Sequence, residues 1–244
     1  MNYFTKITLL GLVLLTSNVF AQDDADEEKK LGWSGSGEAG LVNTTGNTES
    51  FALNFKAEVI KTTERWRHRL FGTVLNTSED GVTDNKRYTA ELQSDREFGE
   101  KGYLFAVYRY DADRFGAYDP SQTLTAGYGH QLMKSEKHAL KGEIGAGYRN
   151  LKDRVSRESE GEFIMRFVLD DNWQVWKTTN WTNRLLVETG SNNTFTQFDT
   201  ALAVSMTDKF AVKIGFQVRN NSKLPPGDSE HTDTVTTVNL VYGF

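Results

Sequence analysis

The sequence predicts an all-β fold: an antiparallel transmembrane β-barrel of about twelve strands with both termini periplasmic. Three observations predict it. From Leu31 onward apolar and polar residues alternate with a period of two, the repeat of strands whose two faces meet unlike surroundings. Connections after odd-numbered strands read as long and polar, and those after even-numbered strands as tight. The last strand is apolar on one face and ends on Phe244 itself.

Composition narrows the alternatives. Only 38% of the 244 residues are hydrophobic and the mean hydropathy is −0.53. A bundle of membrane helices is thereby excluded, because each span needs about 20 consecutive apolar residues. Three prolines against 15 Phe, 9 Tyr and 5 Trp exclude a disordered chain. Without cysteine there are no disulfides, thiolate zinc sites or cysteine nucleophiles. A net charge of −5 gives no support to a nucleic-acid partner.

Residues 1–21 read as a cleaved signal peptide. Lys6 precedes the apolar stretch Ile7 to Leu15, and Val19 and Ala21 stand where the peptidase needs modest or small side chains, so cleavage falls after Ala21. The apolar run is too short for a retained anchor. Residues 22–30 form an acidic flexible leader (DDADEEKK over Asp23 to Lys30) that should stay solvated. The barrel occupies 31–244.

The first strand, 31–42, carries Trp33 toward the short-turn end and Glu38 toward the lumen. In the second, 49–61, Phe51, Leu53, Phe55, Ala57 and Val59 alternate with Ala52, Asn54, Lys56 and Glu58, a pattern no helix can present on one face. The third, 65–76, turns Trp66, His68 and Leu70 toward lipid and Arg67 and Arg69 inward. Glu91 and Asp95 take the inward parity of the fourth, 86–97. The fifth, 102–111, is ambiguous, since Tyr103, Phe105 and Val107 compete with Leu104, Ala106, Tyr108 and Tyr110.

The sixth, 121–132, sends Tyr128, His130 and Leu132 to lipid, and the seventh, 138–150, sends Lys141, Glu143 and Arg149 inward. In the eighth, 158–170, Phe163, Met165, Phe167 and Leu169 oppose Glu160, Glu162, Ile164 and Arg166. The ninth, 173–186, has no clear facing. The tenth, 194–206, places Asp199 inward. The eleventh, 209–220, sets Phe210, Val212, Ile214, Phe216 and Val218 against Lys213 and Arg219. The twelfth, 231–244, aligns Val238, Leu240, Tyr242 and Phe244. All three prolines (Pro120, Pro225, Pro226) fall outside strands or at their rims, where a missing N–H costs least.

The connections after odd strands read TTGNT, NTSEDGVTDN, DADRFGAYDPS, NLKDRVSR, TGSNN and NNSKLPPGDSEH; those after even strands include KTTER, EFGEKG, LDDN and MTDK. A soluble sandwich has no reason to sort its loops this way, whereas an outer-membrane barrel does. Aromatic residues gather at both ends, with Trp33, Trp66, Phe98, Tyr103, Trp173, Trp176 and Phe210 at one. Tyr88, Tyr110, Phe115, Tyr118 and Phe195 stand at the other. Two girdles at the water–lipid boundaries account for that placement.

The final apolar strand ending in an aromatic resembles the recognition signal of the bacterial barrel-assembly machinery. Val238, Leu240, Tyr242 and Phe244 would carry it. The opening segment Trp33 to Ser50 (WSGSGEAGLVNTTGNTES), the tetrad Tyr108-Arg109-Tyr110-Asp111 and the closing TDTVTTVNLVYGF carry a second resemblance. They are similar to the YdiY-like salt-induced outer membrane protein family (domain of unknown function 481). That resemblance implies an outer-membrane location, with outer-membrane lipid as a partner, and through the family's name a link to salt or osmotic response; the assembly machinery is a partner implied by the final strand alone. It brings no catalytic residues.

If the apolar face meets lipid, the other lines the lumen. Reflection through the turns predicts a cross-strand row Glu58–Arg67–Asp95 and brings Arg149 to Glu158 or Glu160. Arg69, Glu91, Glu143, Glu162 and Arg166 follow the same parity, as do Glu38, Lys56, Lys141, Asp199, Lys213 and Arg219. The signs are mixed, so no like-charge ring selects an ion. Paired side chains that fill and brace the barrel are favoured over a small polar pore.

His68, His130, His138 and His231 lie on distant strands or opposite rims, so spacing assembles neither a His–Ser–acid set nor a metal site. Glu158, Glu160 and Glu162, or Asp80 and Asp84, lack the spacing of a calcium loop. No cofactor or metal is expected, and the chain is not expected to be an enzyme. Two alternatives stay open beside the structural or small-pore barrel. One is a barrel-borne hydrolase acting on lipid or envelope substrates; the other is a soluble periplasmic barrel binding an apolar ligand, which would reverse the facing of every strand.

Overall fold

The computed structural model describes residues 31–44, 50–79, 82–114, 116–154, 156–224 and 231–244. The expected signal peptide with Ala21, the leader, Phe115, Asp80 and the Pro225-Pro226 pair lie outside the described residues. Twelve strands form a closed barrel in which each pairs antiparallel with its chain neighbours. They are β1 (Gly32–Thr44), β2 (Ser50–Thr62), β3 (Trp66–Glu79), β4 (Val82–Phe98), β5 (Gly102–Asp113) and β6 (Tyr118–Lys134). β7 (His138–Asp153), β8 (Ser159–Trp176), β9 (Thr179–Gly190), β10 (Thr194–Ser205), β11 (Phe210–Asn221) and β12 (Thr232–Gly243) complete it.

Closure is made by β1 and β12, registered from Ser36↔Gly243 to Ala39↔Leu240. Reciprocal 3.0 Å backbone hydrogen bonds between Gly35 and Phe244 extend that seam. The last residue is therefore part of the wall, and both described ends lie on the short-turn rim.

The alternation resolves as apolar outside and polar inside. Phe163 is 83% exposed, and Leu70, Leu124, Ile144, Phe216 and Val238 stand exposed on the outer wall. Asp95, Arg149, Glu162 and Arg166 are buried, with Arg149 only 1% exposed. A soluble barrel with a dry centre would show the reverse. Its facing is overturned.

The two ambiguous strands settle by the same measure. β5 turns Tyr103, Phe105 and Val107 inward and Leu104 and Tyr108 outward, and β9 turns Leu186 and Glu188 inward and Trp181 and Leu185 outward. Three expected girdle residues belong elsewhere: Tyr103 and Phe195 are buried inside, and Tyr118 lines a lumenal cavity. Trp33, Trp66, Phe98, Tyr128 and Trp173 remain exposed at the short-turn end, and Tyr88, Tyr108, Tyr148 and Phe163 toward the other.

Strand boundaries also move. The polar stretch read as a loop after the third strand is largely paired, since β3 runs to Glu79 and β4 starts at Val82. Likewise β5 reaches Asp113, and Pro120 lies within β6 beside a register shift between Tyr118 and Ser121. Backbone pairing continues past the apolar band because polar side chains can stand in water while their main chains stay laddered. The supposed turn Leu169-Asp170-Asp171-Asn172 is strand: β8 continues to Trp176, with Asp170 opposite Arg184 and Asp171 opposite Asn183. Even-to-odd connections remain tight, at residues 63–65, 99–101, 135–137, 177–178 and 206–209.

Candidate functional site: the charged lumen

Closing the sheet brings together charges that the chain keeps far apart. Every second side chain points inward, and β3, β4, β5, β7, β8, β9 and β11 all supply ionisable groups. Toward the short-turn end, Arg67 pairs with Asp95 at 3.1 Å. Gln93 donates to Asp95 and to Glu143, both at 2.9 Å. Glu143 also accepts from Tyr103 Oη at 3.1 Å and from Arg166 at 2.9 Å. Arg166 lies over the Phe105 ring, 5.5 Å from its centroid.

This layer needs glycine on the facing wall. A Cβ on Gly129 would stand 2.1 Å from the Tyr103 ring, and one on Gly145 would stand 2.8 Å from the Phe105 ring. Two lumenal aromatics fit because β6 and β7 withhold side chains there.

Two residues further along β3, Arg69 joins Glu58 and, at 2.6 Å, Glu91, while Arg184 meets both oxygens of its register partner Asp170 at 2.8 Å. Toward the long-loop end the bonds cross the lumen. Arg87 pairs with Asp113 at 2.6 Å and donates to Gln217 at 3.2 Å. Arg109 bridges Asp111 at 3.1 Å and Gln197 at 2.8 Å. Arg219, from the opposite wall, reaches Asp111 at 2.8 Å and Asp113 at 3.3 Å.

On the neighbouring wall, Arg149 binds Glu162 at 2.6 Å and the Asn193 carbonyl, and lies 3.9 Å from Glu188. Beside the seam, Lys213 pairs with Glu38 at 2.7 Å. Asn54 and Asn239 are bonded at 3.1 Å.

Two expected pairings are displaced. Glu58 stands across from Phe71, not Arg67, and takes Arg69 as its partner. Arg149 stands across from Glu162, whereas Glu160 faces Leu151 and is exposed. Both errors have one cause. Reflection through a turn assumes a fixed hairpin centre, and each hairpin is centred one or two residues further along the chain. Arg67 and Asp95 are register partners.

The pattern of residues also hid several lumenal charges. Arg87 shares the parity of Glu91 and Asp95 but sits at the very start of the expected fourth strand. Asp113 lies in the connection expected after the fifth strand, Asp111 and Asp170 stand where a strand end overlaps a polar connection, Arg109 and Arg184 are on strands without an assigned face, and Glu188 lies past the end of the ninth. Extending the period-two count past the apolar residues would have found them.

The energetics favour a lattice over isolated pairs. Each buried ion loses several kcal/mol of hydration, which a single pair roughly offsets. Here carboxylates take several donors: Asp111 from Arg109, Arg219 and Thr89, and Asp113 from Arg87, Arg219 and the Gly116 amide. Such shared coordination makes burial tolerable and rigid.

The histidines stay apart from this lattice. His68 stacks on Trp66 and bonds Ser94, His130 bonds Tyr128, and His138 meets Asp171 at 2.5 Å. His231 Nδ1 bonds the Asn221 carbonyl at 2.7 Å. Among the described residues, His, Asp and Glu form no group that could hold a metal ion.

Known proteins place this architecture. The family described as "Protein of unknown function, DUF481" matches residues 37–244. An uncharacterized protein of Escherichia coli (strain K12), YdiY, is 28% identical over 225 residues, covering 92% of this chain and 88% of its own. The COG4313 outer membrane channel from Pseudomonas putida F1 superposes with a TM-score of 0.54 at 13% identity, over 91% of this chain and 99% of that one. The NanC porin gives 0.51 at 8% identity, over 86% and 98%. These two likenesses show an outer-membrane barrel fold.

Proposed function

The chain belongs to the DUF481 family, and from that premise we propose that it is a charge-braced outer-membrane barrel, non-enzymatic, whose lumen is shut at rest. One observation carries the reading. Arg87, Arg109 and Arg219 link β4 and β5 to β10 and β11 straight across the lumen. A general diffusion pore keeps that space for water, and a selective one lines it with one sign of charge. Neither applies here. The signal peptide over 1–21 and periplasmic termini belong to the same proposal, with the long-loop rim facing outward.

A link to salt or osmotic response, which the family resemblance carries, also belongs to it. Salt screens exposed pairs far more than buried ones. Arg184 with Asp170, and Glu58, reach water; Arg149 with Glu162 does not.

Planar-bilayer recording of the refolded barrel tests the reading. The wild type should insert without steady unit currents. Replacing Arg219→Ser together with Asp111→Ser removes a cation and its anion at once, and discrete channel openings should appear. Steady unit currents from the wild type would overturn the closed lumen and promote the small-pore reading.

We extend the proposal to biogenesis, with Val238, Leu240, Tyr242 and Phe244 as the signal read by the barrel-assembly machinery. Phe244 also closes the seam through its two backbone bonds to Gly35. Deleting Phe244 should leave most of the protein without the heat-modifiable gel mobility of a folded barrel. Phe244→Ala keeps the backbone bonds, so a comparable loss from it would assign the effect to the ring.

A further inference from the structure

Toward the short-turn end, the outer wall carries a polar row where contact with hydrocarbon calls for apolar side chains. Asp171, Asn183 and Thr200 are register neighbours on β8, β9 and β10, all with outward parity. The row on the rim side of them holds Trp173 and Trp181, and the row on the other side holds Gly142, Leu169 and Leu185.

Hydrogen bonds orient this row from within. Trp181 Nε1 donates to Thr200 Oγ1 at 2.9 Å, and that hydroxyl donates to Asn183 Oδ1 at 2.7 Å. Asn183 Nδ2 then donates to Asp171 Oδ2 at 3.1 Å, and His138 Nε2 meets Oδ1 at 2.5 Å. Asp171 is fixed but not saturated. An ionised carboxylate offers about four acceptor positions, and two are taken. Among the described residues its one ion-pair partner is His138, and its side chain is 23% exposed. An acid on a lipid-facing wall without lysine or arginine beside it favours a cation from outside the chain.

Next to this row the wall holds a groove of about 350 Å³. Ile144, Phe167, Leu169, Leu185 and Val187 line it, and Gly142 opens it by withholding a side chain. A Cβ on Gly142 would stand 3.2 Å from Leu132 Cδ1, the flexible end of another lining residue. An apolar trough thus ends beside an oriented carboxylate.

We propose that this face binds one phospholipid whose headgroup carries a primary ammonium. An acyl chain lies in the groove at Gly142, and the ammonium donates to the open positions of Asp171. The rings of His138, Trp173 and Trp181, with successive centroids 5.8 and 6.2 Å apart, stand next to the carboxylate and favour a cation there. A trimethylated ammonium keeps the charge but has no N–H to donate, and an anionic headgroup is repelled by Asp171. The chain therefore supplies hydrophobic contact, and the headgroup supplies selectivity. The site depends on the outward facing of the wall and not on the state of the lumen.

Native mass spectrometry of the refolded full-length barrel tests it. The barrel would be released from micelles holding equal amounts of phosphatidylethanolamine, phosphatidylcholine and phosphatidylglycerol with identical acyl chains. Phosphatidylethanolamine should be retained at least about fivefold over either of the others, as one added charge-assisted hydrogen bond implies. Asp171→Asn keeps the shape and should bring phosphatidylethanolamine down to the phosphatidylcholine level. Gly142→Leu fills the groove and should lower phosphatidylethanolamine retention by a similar factor with Asp171 intact. Heat-modifiable mobility confirms that each variant is folded.

Equal retention of phosphatidylethanolamine and phosphatidylcholine by the wild type would overturn the proposal, as would a preference that survives Asp171→Asn. Preferred phosphatidylglycerol would overturn it in favour of an anionic-lipid site, and barrel dimers in place of lipid adducts in favour of a contact between copies. Folded protein that retains no lipid would overturn it outright. Unit currents from the wild type would refute the closed lumen and leave this site standing, so the two failures are separable.

Discussion

Arg149→Met should destabilise the barrel by about 3–5 kcal/mol, the cost of stranding buried carboxylates without their cation. Glu162 and Glu188 are nearly as inaccessible as Arg149 itself. The arginine also ties the wall to the β9–β10 connection through the Asn193 carbonyl. Methionine fills a similar volume, so the loss reports charge more than cavity. Equilibrium unfolding of the refolded protein in urea, followed by tryptophan fluorescence, checks it. A second substitution, Glu162→Gln, should recover part of the loss, because one of the stranded charges is then removed. A single-variant loss below about 1 kcal/mol, the range of exposed pairs, would contradict a dry, coupled lattice.

Gly129→Ala should cost about 1–3 kcal/mol in the wild-type chain and much less when made in a Tyr103→Ala background. The added methyl has nowhere to go: its carbon would stand 2.1 Å from Tyr103 Cζ and 2.3 Å from Cε2. Removing the ring clears that space, while Glu143 keeps Gln93 and Arg166 as partners. The same urea titration measures both variants. An additive double variant would mean that the two positions do not touch, against the geometry of the wall.

Much of the fold was legible in the chain because strand alternation is a local property. Phe51 to Val59, Phe163 to Leu169 and Phe210 to Val218 each state a facing that needs no knowledge of neighbours. Facing failed to read where both faces are apolar. In β5 the inward Tyr103, Phe105 and Val107 look as greasy as the outward Leu104 and Tyr108, since they fill a lumen gap opposite glycines. Polar strand ends were misjudged for the converse reason. Asp113 and Asp170 carry loop-like side chains on laddered backbone, and their charge is held by Arg87 and Arg184.

The lumenal lattice was legible as a set of residues and illegible as a set of partners. Parity alone placed Glu58, Arg69, Glu91, Arg149, Glu162 and Arg166 on one side of the sheet. Which of them meet depends on hairpin centring, and shifts of one or two residues moved Glu58 from Arg67 to Arg69 and Arg149 from Glu160 to Glu162. The cross-lumen bonds lie further from reach, because Arg219 and Asp111 are neighbours only once twelve strands have closed.

The sequence by itself determined that this chain makes a closed antiparallel barrel, greasy outside and charged within, because a period of two and the order of hairpins are written along one dimension. Only the tertiary structure decided that the charges meet across the centre and shut it, because register and circumference are set by all the strands together.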